Sequence, residues 1–189
     1  MNLYTVLVFL HVLGGVGVFV AMAVESIAFG RLRDARTVVD AHAALRSLGV
    51  NARLGPASML TTVGTGIWMG AVGWSHQAWM PTALGTVVVM GLLGGTVTAR
   101  RLKRVRAALA AESGDALSDE IQLLLASPVL DASLLVRIAL GVGILALMTA
   151  KPALAGSLVM IGAAAAAGVV ATGVLAPLRA RRVEDARAA

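Results

Sequence analysis

The stretch LYTVLVFLHVLGGVGVFVAMAVESIAF, residues 3–29, decides the fold. A bilayer's hydrocarbon core of about 30 Å takes roughly 20 helical residues, and this run exceeds that. It also holds two ionisable side chains, His11 and Glu25. At about 100° per residue they lie about 40° apart around a helix. Gly14, Gly15, Val18 and Met22 fall between them, and this stripe is expected to face protein rather than lipid.

The composition agrees with a membrane origin. Of the 189 residues, 58% are hydrophobic and only 14% charged, which takes the chain out of the ordinary soluble class. Spans and short connections use up this length, leaving one domain, 1–178, a basic tail, 179–189, and no room for a separate soluble catalytic domain. With no cysteine, disulfides, thiolate metal sites and cysteine nucleophiles are excluded. The net charge of +6 sits in blocks between apolar runs, so topology explains it and no nucleic-acid partner is called for.

Five spans are expected beyond and including the first: about 3–29, 55–74, 81–99, 129–150 and 153–178. Met1-Asn2 supplies no basic n-region, so the first span reads as uncleaved. Residues 30–53 are polar and basic, with Val38, His42, Leu45 and Gly49 on one face of a short amphipathic helix. Gly55-Pro56 reads as the opening of span two, since proline in a first turn forfeits no helical hydrogen bond. The pairs Gly66-x-x-x-Gly70 and Gly91-x-x-x-Gly95 predict close helix approach. Trp74 and Trp79 flank an outer loop free of lysine and arginine, as an aromatic belt would. Ser113-Gly114 breaks the alanine-rich stretch after span three, Ser118 is a candidate cap for a short helix at Asp119-Glu120, and Lys151-Pro152 is a tight turn. The tail from Arg179 is expected to fray.

Fourteen of the sixteen lysines and arginines fall in segments 30–53, 99–128 and 179–189; Lys151 falls on the opposite side and Arg137 inside span four. The positive-inside rule then puts the amino terminus outside and the carboxyl terminus in the cytoplasm of a bacterial inner membrane. The 26 uncharged residues of the fifth run argue against a four-span layout.

His11, about 12 Å inside its span, must find a partner or a cavity. A neutral imidazole there suits a haem or metal ligand or a proton relay, against the simpler reading of a bond to a neighbouring hydroxyl or carbonyl. A haem would need His76, a methionine, Lys151 or water as its second ligand. His76, near Met69 and Met80, offers copper-type donors, against the reading of a solvated loop. Glu25 and Arg137 reach similar depth and are expected to pair across helices, with Arg53 the fallback, rather than snorkel separately. The block Arg100, Arg101, Lys103, Arg104 and Arg106 suits anionic lipid headgroups at roughly 1 kcal/mol per residue, or acts as a plain topology signal. Nucleotide, zinc-protease and serine-elbow motifs are absent.

LVFLHVLGG at 7–15, Gly55-Pro56 with Gly64-x-Gly66-x-Trp68, Gly73-Trp74-Ser75 with Trp79, and LMTAKP at 147–152 resemble the bacterial integral-membrane family called domain of unknown function 2269. The resemblance covers most of residues 1–152; Glu25 has no counterpart assigned in it. More distantly, the first helix is similar to that of copper-resistance D-type proteins and of the small membrane protoporphyrinogen oxidases. Those likenesses imply haem or copper chemistry at His11. The oxidases also depend on a lysine in a later helix, a role not transferred to Lys151.

The expectation is therefore an all-helical, polytopic membrane bundle that is not an enzyme and that holds a buried polar stripe around His11. The stripe serves structure, a partner or a small ligand, and the bundle is open to homo-oligomers. A haem b redox protein and outer-face copper handling through His11 and His76 are the alternatives. A transporter would need a deeper acid than Glu25.

Overall fold

A computed structural model describes the backbone of residues 2–74 and 77–188, and the side chains of those residues except 74, 126 and 176–188. His76 lies outside the described residues, and so does any test of its role. The described residues are helical nearly throughout: α1 (Leu3–Asp34), α2 (Val38–Met69) running into a π-helical turn (Gly70–Trp74), α3 (Trp79–Leu92), a second π segment (Leu93–Thr98), α4 (Ala99–Ala111), α5 (Asp119–Ala126), α6 (Val129–Ala150) and α7 (Leu154–Ala188). Among the described residues, four helical stretches are long and apolar enough to cross a membrane: Leu3–Asp34, Trp79–Ala111, Asp119–Ala150 and Leu154–Leu175. That is the make-up of a multi-pass membrane protein. The second expected span is not among them. Between Leu54 and Gly70 it is diluted by Ser58, Thr61, Thr62, Thr65 and four glycines. Its threonine hydroxyls are nonetheless satisfied within the helix, Thr61, Thr62 and Thr65 each donating one turn back to Ala57, Ser58 and Thr61 carbonyls.

Two helix starts follow side-chain chemistry closely. Asn2 Oδ1 accepts the Thr5 N–H at 2.9 Å, and Thr37 Oγ1 accepts the Asp40 N–H at 3.1 Å while its hydroxyl donates to Asp40 Oδ2. Ser118 is the residue before α5, but its side chain makes no capping bond; Glu112 instead accepts the Ser118 N–H at 3.3 Å.

Several expectations are corrected. Pro56 does not open a helix but sits inside α2, which is continuous from Val38. Proline deprives the Ala52 carbonyl of its bond, yet Gly55 carries no β-carbon for the ring to clash with, and packing on α1 holds both halves in line. The buried face of its first half is Ala41, Ala44, Leu45 and Leu48, while His42 and Gly49 are exposed. Trp79 is only 8% exposed, so it is packed inside the bundle instead of sitting in an aromatic belt. Gly91 and Gly95 face open space rather than another helix. The segment after Arg179 continues as helix to Ala188, in keeping with its alanine- and arginine-rich composition.

α1 packs most extensively on α2, and α6 on α7. Close approach sets both contacts. A β-carbon at Gly14 would stand 2.5 Å from Thr62 Oγ1 and 2.9 Å from Thr62 N, and one at Gly168 would stand 2.7 Å from the Val136 Cα. In hydrocarbon, where burying apolar surface gains nothing against lipid, such backbone proximity and its dispersion energy hold helices together.

The other end of the molecule is held differently. A helix of 32 residues such as α1 is about 48 Å long, well beyond one hydrocarbon thickness. At the arginine-rich end, Phe29 and Leu32 of α1, Leu45 and Leu48 of α2, Val105 and Leu109 of α4, and Ile121 of α5 close into one apolar core. The connections are stitched as well: Val38 N–H donates to the Asp115 carbonyl at 3.0 Å and Leu117 N–H to the Arg36 carbonyl at 3.4 Å, an antiparallel bridge between Thr37 and Ala116.

Candidate functional site

Glu25 and Arg137, with Thr98 and Ser133, form one polar layer. Arg137, one and a half turns into α6 past Asp131, donates from Nη2 to Glu25 Oε1 of α1 at 2.7 Å. The expected interhelical contact is thus present, and Arg53 is exposed and takes no part in it. The two side chains are 10% and 8% exposed, which makes this a buried ion pair, not a surface one. Arg137 Nε donates to the Ser133 carbonyl at 3.1 Å, and Nη2 reaches Thr98 Oγ1 at 3.4 Å. Thr98 and Ser133 share a hydroxyl–hydroxyl bond of 2.9 Å, and Ser133 Oγ also donates to the Leu93 carbonyl at 3.3 Å. The Leu93–Thr98 π segment therefore supplies both ends of this network. A π turn shifts the helix's hydrogen-bond register and leaves carbonyls free for such contacts.

Two valences of the pair remain open. Among the described residues neither Arg137 Nη1 nor Glu25 Oε2 has a hydrogen-bond partner. Nη1 lies against Gly94, where a β-carbon would stand 3.2 Å away. Both residues line a cavity of about 480 Å³ between α1 and α2 on one side and α3, the π segment and α4 on the other. Its wall on the α3 side is made largely of Gly91, Gly94, Gly95 and Ala99, its half away from the arginine-rich end of Val18, Met22, Met59 and Met90. Asn51 of α2 joins the polar layer with a buried Oδ1 that accepts no hydrogen bond.

A second ion pair was not anticipated. Arg33 donates to Asp131 through both nitrogens, at 2.7 and 2.9 Å, with 18% and 14% of the side chains exposed. Glu25 and Arg33 are eight residues apart on α1, Arg137 and Asp131 six apart on α6, so the signs are crossed between antiparallel helices. The signal was present in the sequence as a lone acid at the start of span four facing a basic residue at the end of span one.

His11 sits elsewhere. Its Nδ1 is 2.9 Å from the Thr62 carbonyl and 3.2 Å from Thr65 Oγ1, and its ring lies against Gly66. A carbonyl only accepts, so Nδ1 carries a proton, and a ring with one proton has its lone pair on Nε2. Gly66 thus admits an imidazole and Gly70 the Met80 side chain, so the pair takes in side chains and not a neighbouring backbone. The cavity begins at Val18, beyond His11. No group of three or more histidine, aspartate or glutamate side chains comes together among the described residues.

The basic block divides. Arg101 Nη2 donates to the Leu124 carbonyl at 3.0 Å and fastens α5 to α4. Arg106 lines the cavity, and Arg100, Lys103 and Arg104 are exposed.

Compared with protein-family models, curated proteins and solved structures, the chain matches none.

Proposed function

We propose that this chain is a non-enzymatic, multi-pass protein of the bacterial inner membrane whose working part is the cavity at Glu25 and Arg137, a receptor for a small ligand. Five spans, with the amino terminus outside and the arginine-rich end in the cytoplasm, fit the charge distribution; α2 crosses as the least apolar of them, shielded by α1. The family resemblance in residues 7–152 belongs to this reading.

One observation carries it. A charged pair buried in a bundle is costly unless its remaining valences are met, and here each partner turns one unsatisfied atom toward a cavity of ligand size. The test is to purify the full chain in mild detergent, extract what travels with it, and identify it by mass spectrometry. The wild type is expected to retain a small molecule that Gly95→Leu loses, since Gly95 lines the cavity and a larger side chain there narrows it. Identical extracts would defeat the reading.

A haem-binding redox protein is the second reading. It is favoured by the His11 ring, whose Nδ1–H is anchored on a carbonyl as in many metal-ligating histidines, leaving Nε2 for iron. The cavity's distance from His11 weighs against it. A Soret band in protein from haem-replete cells, absent in His11→Ala, would establish it. Copper handling rests on His76 and falls with a metal-free preparation.

A further inference from the structure

The cavity's unspent valences are of both signs, and this narrows what it takes. Arg137 Nη1 is a cationic donor in search of an anion, while Glu25 Oε2 is an acceptor in search of N–H groups. They belong to one ion pair, closed at 2.7 Å through their other atoms, and so stand within reach of a single headgroup. A single ligand must therefore present an anionic oxygen beside a hydrogen-bonding cation.

The walls add the rest. Outward from the polar layer the lining is Val18, Met59 and Met90, with no charge. The rims facing each other across the opening, Ala52 and Pro56 on α2 and Gly91 and Gly95 on α3 and the following π segment, are exposed and nearly free of side chains. That leaves a lateral slot at the level of the apolar spans, open to an acyl chain. Arg106 stands at the basic end of the same cavity, eight residues and about 12 Å along from Thr98, and draws anionic groups toward it.

Resting on the reading of this cavity as a binding site, we infer that its ligand is a zwitterionic phospholipid with a primary ammonium. Its phosphate meets Arg137 Nη1, its ammonium donates to Glu25 Oε2, and one acyl chain lies along Val18, Met59 and Met90. Trimethylation of the nitrogen keeps the charge but removes every N–H donor, so headgroup methylation is the discriminating change.

The experiment is native mass spectrometry of the full chain, exchanged into mild detergent with equal amounts of phosphatidylethanolamine, phosphatidylcholine and phosphatidylglycerol of identical chains. The first is expected to be retained about tenfold over the other two. Gly95→Leu, which touches no ion pair, is expected to abolish retention with the fold intact by circular dichroism. Equal retention of the three lipids by the wild type, with loss in Gly95→Leu, overturns the headgroup assignment while the site stands. Displacement of the bound lipid by soluble phosphoethanolamine at equal concentration overturns the acyl-chain part. No retention of any lipid or soluble zwitterion, or retention unaffected by Gly95→Leu, overturns the site itself.

Discussion

Glu25→Gln is the sharpest perturbation of the fold. It keeps the shape of the side chain and an acceptor for Arg137 Nη2, but leaves a guanidinium charge in a bundle where the Ser133 carbonyl and the Thr98 hydroxyl are its remaining described partners. Breaking one side of a buried pair costs about 3–5 kcal/mol, a factor of roughly one hundred to several thousand in the folded-to-unfolded ratio. Removing both charges is a different matter. In Glu25→Leu/Arg137→Met no ion remains to be desolvated, and Thr98 and Ser133 still satisfy each other at 2.9 Å. The double variant is therefore expected within about 1–2 kcal/mol of the wild type, on either side. Reversible unfolding in mixed micelles, followed by steric trapping or by fluorescence of the buried Trp79, reads both numbers. A single variant that loses less than about 1 kcal/mol, or a double variant no better than the single, would refute the picture of a buried pair whose cost is desolvation.

Other expectations are more local. Arg33→Ala removes a pair nearer the surface and is expected to cost about 1 kcal/mol in the same assay, clearly less than Glu25→Gln. Gly14→Ala drives a methyl into Thr62 and is expected to lose roughly 1–3 kcal/mol, whereas Gly15→Ala, one residue on with nothing within 4 Å, should gain up to about 1 kcal/mol from helix propensity. Ile121→Ala, in the apolar core of the arginine-rich end, is expected to cost about 2–4 kcal/mol and to expose the 112–118 connection to protease. His11→Phe gives up the bond to the Thr62 carbonyl for about 1 kcal/mol; a much larger loss in thermal scans would assign His11 a heavier role than bridging α1 and α2.

Much of this structure was legible in the residues. The apolar runs and the two deep charges were enough to expect helices packed about α1 and a Glu25–Arg137 contact, because a charge in hydrocarbon has few places to go. What escaped is instructive. Gly55-Pro56 looked like a boundary because both residues punctuate helices, yet one missing hydrogen bond is outweighed by the packing of α2 along α1. The pair Gly91 and Gly95 has the spacing of a helix contact but lines a void; spacing tells what could approach, not what does. A tryptophan beside a loop free of lysine and arginine fits an interfacial belt, yet Trp79 is buried, because neither residue type nor flanking charge tells which way a helix face turns. The π segment, the cavity and the open rim between α2 and α3 depend on which helix faces fail to meet, and no local pattern in the chain encodes that.

The crossed charges of α1 and α6 also bear on how the protein is made. Synthesis delivers Glu25 more than one hundred residues before Arg137, so the nascent first helix must wait in the bilayer with its carboxylate uncompensated by that arginine. Sliding the late-arriving helix so that Glu25 nears Asp131, or Arg33 nears Arg137, sets like charges together. A chain stopped before Val129 keeps this deficit permanently, while a completed one can seat α6 at a single height.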